Sequence, residues 1–191
     1  MRPAIVTVFG SSQPPPLSPA YETAYELGRR IAEAGWTLCN GGYGGTMEAS
    51  AKGAVDAGGH TIGVTCSVFG RGGPNSHIRQ EVPTFDLLTR LNTLVRLGNA
   101  YVVLPGGTGT LLELALVWEL FNKSLLRRVA PIVLLGDHWT PVFTLIRREQ
   151  PDALELSVAA NVAEVVELVQ QAWQRGRKPD EPADETPSVS S

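Results

Sequence analysis

The chain has 191 residues, which is enough for one domain with a full-sized core. Its 43% hydrophobic and 18% charged residues are typical of a globular protein and exclude a disordered or fibrous one. A net charge of −3 gives no sign of nucleic-acid binding, and no apolar run reaches the roughly 20 residues of a membrane-spanning helix. The N-terminus lacks the basic head and cleavage site of a secretory leader, so we expect a cytoplasmic protein without membrane attachment.

Short runs rich in β-branched residues alternate with stretches of helical spacing. Strands are predicted at residues 4–9, 36–39, 60–66, 100–104 and 131–135. Helices are predicted from Ser18 and Pro19 onward, over 47–57, from Thr84 to about Leu97, over 110–122, from Thr140, and after a capping box of Asn161 and Glu164. This alternation predicts an α/β fold, in which one domain contains a doubly wound, parallel, Rossmann-like sheet with right-handed crossovers.

Two segments do not follow this alternation. Residues 67–83 are rich in Gly, Pro and polar side chains, which predicts a long loop of the kind that is functional or mobile. From residue 176 onward Pro, Asp, Glu and Ser dominate. We therefore expect a nucleotide-binding domain at 1–175 and a disordered tail at 176–191.

The cysteines and histidines give no indication of a bound metal. Cys39 and Cys66 each end an apolar segment, which predicts reduced core thiols rather than a disulfide. The histidines His60, His77 and His138 share no spacing with one another or with a cysteine. We therefore expect no metal site and no other cofactor.

Three predicted strands end in turns rich in glycine or serine. These turns are residues 10–12, 41–46 and 105–110. Because parallel sheets gather such turns along one edge, where doubly wound folds bind ligands, we expect them to lie together. Glycine lets backbone N–H groups approach a phosphate, and the helix that follows adds a favourable dipole. The pattern predicts a phosphate or nucleotide site that includes Gly10, Ser11, Gly42 and Gly45, with a purely structural edge as the alternative.

Two common nucleotide motifs are absent from the sequence. No G-x-x-x-x-G-K-[ST] segment occurs, which excludes a P-loop. The turn after the first strand lacks G-x-G-x-x-G and continues into residues 13–16, Gln-Pro-Pro-Pro. Dinucleotide binding in its usual place is therefore disfavoured.

The predicted helix over 110–122 is apolar almost all round, which is typical of a buried helix or of one shared with a second subunit. Glu113 interrupts it, and a buried carboxylate is costly unless it is paired or hydrogen-bonded. It is either satisfied by local N–H groups at the helix N-terminus or acts as a catalytic or ribose-binding carboxylate. Arg90 lies on the preceding helix. It is a candidate either to form a buried ion pair with Glu113 or to bind the phosphate.

Residues 104–113, with Arg90 fifteen residues before Pro105, resemble the P-G-G-x-G-T-x-x-E signature of the Lonely Guy (LOG) family. The similarity extends through residues 9–12 and 41–47. The family implies a Rossmann-like fold, a homodimer, and hydrolysis of the N-glycosidic bond of nucleoside 5′-monophosphates such as AMP. In cytokinin-activating members the products are a free base and ribose 5-phosphate.

The resemblance also implies roles for individual residues. Glu113 matches the catalytic carboxylate, and Arg90 matches the catalytic or substrate-orienting arginine. The residues that would hold the phosphate are Gly106, Gly107, Gly109 and Thr110.

The chain departs from the cytokinin-activating members at two positions. Leu112 precedes Glu113 where those members carry two adjacent acidic residues, and Leu91 follows Arg90 where they carry an Arg-Lys pair. Residues 44–49 instead resemble a neighbouring branch that includes molybdenum-cofactor carriers, which bind a phosphorylated pterin. A non-catalytic carrier or sensor of a phosphorylated nucleotide or pterin is therefore the alternative function.

Members of the LOG family often carry the name lysine decarboxylase, which this sequence does not support. A pyridoxal-dependent decarboxylase needs a lysine that forms a Schiff base with the cofactor. Lys52 and Lys123 do not lie at a predicted strand-end turn, and Lys178 lies in the predicted tail.

Overall fold

A computed structural model describes residues 3–126 and 131–176 of the chain. Within these residues the strands are β1 (Ile5–Phe9), β2 (Thr37–Asn40), β3 (Thr61–Cys66), β4 (Gln80–Thr84), β5 (Ala100–Val103), β6 (Ile132–Leu135) and β7 (Ser157–Ala159). The helices of the same residues are α1 (Pro19–Glu33), α2 (Thr46–Asp56), α3 (Leu87–Leu97), α4 (Thr108–Asn122), α5 (Thr140–Glu149) and α6 (Val162–Gly176), with a short 3-10 turn at Ser67–Phe69.

The strands form one parallel sheet in the order β4-β3-β2-β1-β5-β6-β7. At its centre Val6 of β1 pairs with Leu38 of β2 on one side and with Ala100 of β5 on the other. The chain proceeds outward from β1 to β4, crosses back to β5, and proceeds outward again to β7. Strand order therefore reverses between β1 and β5, which is where doubly wound sheets bind ligands. The predicted fold class is confirmed.

Helices cover both faces of the sheet because alternate strand residues point to opposite sides. Val6 and Val8 of β1 pack under α1, α2 and α6, whereas Phe9 of β1 and Tyr101 of β5 pack under α3, α4 and α5. Helices α3 and α4 thus lie on the same face. Each follows a strand, so their N-terminal turns lie at the carboxyl edge of the sheet.

Several local predictions are confirmed. Ser18 caps α1 through its side chain, which accepts a hydrogen bond from the backbone N–H of Tyr21. Asn161 caps α6 by accepting from the backbone N–H of Glu164, whose carboxylate in turn accepts from the backbone N–H of Ala160. Cys39 and Cys66 are free thiols buried in the core.

The prediction of one continuous loop over 67–83 is wrong. The segment opens with the 3-10 turn Ser67–Phe69 and ends in β4, which is an edge strand of the sheet. Most β4 side chains are exposed and Pro83 lies within it, so the strand has a polar, loop-like sequence. Proline is tolerated there because an edge strand leaves one row of backbone groups unpaired.

Two other predictions also differ from the structure. Asp86, not Thr84, caps α3, and its carboxylate accepts a hydrogen bond of 2.9 Å from the backbone N–H of Thr89. Thr84 ends β4, and its hydroxyl donates to the carbonyl oxygen of Thr65 at 2.6 Å. The three-residue strand β7 was not predicted because it is too short for a recognisable alternation of apolar residues.

The predicted tail at 176–191 lies outside the described residues from position 177 onward, while Gly176 is the last residue of α6. Among the helices of the described segments, none combines the length and the hydropathy needed to cross a bilayer.

Candidate functional site

The turn between β5 and α4 exposes backbone groups at the carboxyl edge of the sheet. Gly107 is the N-cap residue of α4, and its lack of a side chain leaves the first turn without a side-chain cap. The next two residues, Thr108 and Gly109, are exposed, whereas Thr110 is buried. The first N–H groups of a helix have no partner within the helix. This turn therefore offers unpaired N–H groups and the positive end of a helix dipole to a ligand.

The three glycine- or serine-rich turns lie together, as the sequence predicts. Thr46 at the start of α2 donates to the carbonyl oxygen of Ser11 twice, from its backbone nitrogen at 2.9 Å and from its hydroxyl at 3.0 Å. Gly45 has a φ of +65°, and a Cβ there would lie 2.5 Å from the same carbonyl oxygen. Leu104, the residue after β5, donates its N–H to the carbonyl oxygen of Phe9 at 2.9 Å. The turns after β1, β2 and β5 are thus bonded into one edge.

A buried ion pair joins α3 to α4 beneath this edge. Arg90 Nη1 lies 3.2 Å from Glu113 Oε1, and the two side chains are only 7% and 11% exposed. Arg90 Nε also donates to the carbonyl oxygen of Val64 in β3 at 2.9 Å. Arg90 therefore supplies the buried carboxylate with a charged hydrogen-bond donor. The ion pair that the sequence analysis gives as one alternative is present in the structure.

Burial and the neighbouring positive charge shift the pKa of Glu113 in opposite directions. Loss of water around the carboxylate raises the pKa of Glu113 to about 7, although the nearby Arg90 guanidinium favours the charged form and lowers this pKa. A carboxyl with a pKa near neutrality can take up or release a proton at physiological pH. Glu113 is thus suited to proton transfer as well as to binding.

Two aromatic rings lie beside the ion pair. The Arg90 guanidinium carbon is 5.9 Å from the ring centre of Tyr43 and 5.6 Å from that of Phe69. The Tyr43 hydroxyl accepts from the backbone N–H of Cys66 at 2.8 Å and donates to its carbonyl oxygen at 3.2 Å. These contacts hold the ring in place beside Arg90. We call Tyr43 and Phe69 the aromatic cover.

Three residues beside the ion pair are not among the site residues predicted from the sequence: Tyr43 and Phe69 of the aromatic cover, and Gly41. Tyr43 stands between two pairs of glycines, and that signal could have drawn attention to it, while Phe69 lies in the segment interpreted as loop. The glycine pattern points to Gly42 and Gly45 and does not distinguish Gly41. A Cβ on Gly41 would collide with Arg90 Nη2 and lie 2.7 Å from the sulfur of Met47. The absence of a side chain at position 41 therefore makes room for the Arg90 guanidinium.

The loop between β6 and α5 supports the turn after β5. Trp139 Nε1 donates to the carbonyl oxygen of Leu104 at 2.9 Å, and His138 Nε2 lies 3.2 Å from the carbonyl oxygen of Gly106. Next to this turn is a cavity of about 570 Å³, whose lining includes Thr46 and Pro105. The cavity extends between α1 and α6, on the face of the sheet opposite α4.

A family model described as the SLOG cluster4 family matches residues 3–165. The chain belongs to this family. The match spans the whole sheet, the turn after β5 and both members of the ion pair.

This SLOG cluster4 protein has relatives named for nucleotide hydrolysis. It is 32% identical over 154 residues to a cytokinin riboside 5′-monophosphate phosphoribohydrolase of Rhodococcoides fascians, with 75% of this chain and 74% of that protein covered. It is 37% identical over 99 residues to a protein of the same name from Mycobacterium tuberculosis. That alignment covers 51% of this chain and 53% of the relative, so it spans about half of each. The resemblance to the LOG family is confirmed.

Solved structures with the same fold include the molybdenum cofactor carrier protein of Chlamydomonas reinhardtii. It is 29% identical to the SLOG cluster4 protein, with a TM-score of 0.74. The superposition covers 91% of this chain and 99% of that chain. The Rossmann-like architecture is thus shared with this carrier protein, whereas the phosphoribohydrolases are similar in sequence. The assignment of ligand-binding and catalytic roles to individual residues stays a prediction.

Exchanging Gly41 for alanine tests whether the Arg90 guanidinium depends on the space at this position. We expect Gly41→Ala to lower the free energy of unfolding by about 1–3 kcal/mol, because the added methyl group displaces the buried guanidinium. Urea unfolding measures the change. Gly44→Ala is the matched control, since a Cβ there meets nothing nearer than an oxygen at 4.0 Å. Equal unfolding free energies for the two variants would contradict the packing at Gly41.

Proposed function

We propose that the protein is a phosphoribohydrolase that cleaves the N-glycosidic bond of nucleoside 5′-monophosphates. The products are the free base and ribose 5-phosphate. The observation that carries this proposal is the buried Arg90–Glu113 pair, in which Glu113 lies in the second turn of a helix whose N-terminus has no side-chain cap. Two relatives named as phosphoribohydrolases support the same reaction class. We expect the protein to act in the cytoplasm on small molecules rather than on nucleic acid.

The phosphate is proposed to bind at the turn after β5. Its negative charge would accept hydrogen bonds from the first N–H groups of α4 and would interact favourably with the helix dipole. The residues proposed for this role are Gly106, Gly107, Gly109 and Thr110, with Gly10, Ser11, Gly42 and Gly45 on the adjoining turns.

Glu113 is proposed to act on the ribose. Cleavage breaks the bond between C1′ and the base nitrogen, and the bonding electrons leave with the base while positive charge develops on the ribose ring. Ionised Glu113 would orient a water molecule toward C1′ and accept a proton as the water adds. The departing base takes up a proton and Glu113 releases the one it accepted, so that one water molecule is consumed in each turnover. Arg90 would hold the carboxylate in position and orient the ribose.

Replacing the carboxylate without changing its shape tests this role. We expect Glu113→Gln to reduce release of free base from AMP by about a hundredfold or more, because a neutral amide cannot accept the proton of water. Chromatography of base and ribose 5-phosphate measures the rate, and titration calorimetry measures AMP affinity, which should change little.

The control is Glu119→Gln, which alters an exposed carboxylate on the same helix. Unchanged turnover in Glu113→Gln would contradict the catalytic assignment.

The pH dependence follows from the raised pKa of Glu113. Because this pKa is raised to about 7, the carboxyl is protonated below that value and ionised above it. If the ionised form is required, kcat should rise with pH and reach half its maximum near pH 7. Initial rates between pH 5 and 9 at constant ionic strength measure this. A rate that falls as pH increases through 7 would indicate that the protonated carboxyl is the active form.

A carrier for a phosphorylated pterin or nucleotide is the second candidate. Two observations favour it: the cavity of about 570 Å³ beside the turn, and a structural likeness that extends over 99% of a molybdenum cofactor carrier. Such a protein would bind its ligand without turnover. Tight binding with no release of base, from either the unmodified protein or Glu113→Gln, is the result expected of a carrier.

We also propose that the protein is a homodimer. The sequence leaves α4 either wholly buried or shared with a second subunit, and Leu112 of α4 is 43% exposed within one chain. Ala115, on the same helix, is exposed as well. A second copy that packs against α4 would remove this apolar surface from water.

Sedimentation equilibrium at micromolar concentration should therefore give twice the chain mass of 20.5 kDa. Leu112→Glu should shift the protein toward the monomer because it places a charge in the proposed interface. Leu145→Glu is the control, since Leu145 is also exposed, at 60% against 43% for Leu112, but lies on α5. A monomeric unmodified protein would contradict the dimer.

A further inference from the structure

Arg71 is a cation beside the candidate site that the proposed reaction does not yet use. Its guanidinium carbon lies 4.6 Å from the ring centre of Tyr43. The residue is exposed, and within the described residues its side chain forms no ion pair. The N–H groups of this guanidinium are therefore available to a ligand.

The ring beneath Arg71 is held rigidly. Tyr43 is only 6% exposed, its hydroxyl is bonded to both backbone groups of Cys66, and its ring packs against Phe69 at 6.0 Å between centres. A guanidinium over an aromatic face is attracted to the ring, while its N–H donors lie in the guanidinium plane and remain free at the edges. Arg71 thus rests on a fixed platform and presents donors but no acceptor.

The order of the strands indicates which part of a nucleotide would reach Arg71. The turn proposed for the phosphate follows β5, whereas Arg90 bonds to Val64 of β3, and Tyr43 is anchored at the end of β3. Neighbouring strands lie about 4.8 Å apart, so β5 and β3 are separated by three such intervals, about 14 Å. Phosphate, ribose and base follow one another along a nucleotide, and the turn after β5, the ion pair and the aromatic cover follow one another in the direction from β5 to β3. With the phosphate at the turn and the ribose at the ion pair, the base extends toward the aromatic cover and Arg71.

We propose that Arg71 recognises the base and selects 6-oxopurine nucleoside 5′-monophosphates, such as GMP and IMP, over 6-aminopurine nucleotides such as AMP. An oxopurine presents two adjacent acceptors, O6 and N7, which match the paired donors of a guanidinium. Adenine presents N7 beside an amino group. That group is a hydrogen-bond donor, so it cannot pair with the donors of Arg71. This inference rests on the proposed function, because it uses the binding direction given by the phosphate and ribose sites.

The test compares kcat/KM for GMP, IMP and AMP. The unmodified protein should favour the two oxopurine nucleotides by about tenfold or more, which is the discrimination expected of one paired contact with a base. Arg71→Ala should bring the GMP to AMP ratio close to one. Arg71→Lys should recover only part of the preference, since an ammonium group lacks the planar pair of donors. Arg79→Ala is the matched control, because it removes another exposed arginine from the same segment and should keep the ratio.

Failure of this inference is distinguishable from failure of the proposed function. Hydrolysis with the same GMP to AMP ratio in the unmodified protein and Arg71→Ala would overturn the role of Arg71 and leave the reaction intact. Absence of hydrolysis with all three nucleotides would contradict the reaction, and calorimetric affinities for GMP and AMP then test Arg71 directly. A binding preference for GMP that Arg71→Ala abolishes would support the inference, and equal affinities in the unmodified protein would overturn it. If Arg71→Ala fails to fold, Arg71→Lys supplies the comparison.

Discussion

The interaction on which the site depends is the burial of opposite charges between α3 and α4. Removing an arginine and a carboxylate from water costs several kcal/mol for each group, and only close pairing with further hydrogen bonds offsets that cost. Arg90 meets this condition by bonding to Glu113 and to the carbonyl oxygen of Val64 at the same time. The bare backbone of Gly41 leaves room for the guanidinium. The pair thus joins α3 and α4 to each other and to β3.

Such a pair is a poor way to gain stability, because well-packed apolar side chains of similar size often serve as well or better. Its value lies in keeping a carboxyl whose pKa is raised to about 7 at a fixed place beside exposed N–H groups. The hydrogen bonds that join the turns after β1, β2 and β5 fix the surrounding backbone in advance. A ligand would therefore find most of its partners already ordered, which reduces the entropy lost on binding.

The features that can be predicted from the sequence are those that depend on residues close together along the chain. Alternating apolar runs and helix caps define most elements, and the spaced signature draws attention to Arg90 and Glu113 before any geometry is known. The missed parts depend on contacts between distant segments. Tyr43 matters because its hydroxyl meets Cys66, and Gly41 matters because Arg90 lies against it. The edge strand β4 was missed because its polar side chains face water and follow no buried alternation.

The edge strand also limits how copies of this chain associate. A strand with unpaired backbone groups at the edge of a sheet is a template for pairing with another chain. In β4, Pro83 removes an N–H donor and Glu81 places an exposed carboxylate on the strand, while β7 at the other edge has only three residues. Both ends of the sheet are thereby protected against the addition of further strands. Association of two chains is directed to the helical surfaces, and growth into an open-ended fibre through the sheet is disfavoured.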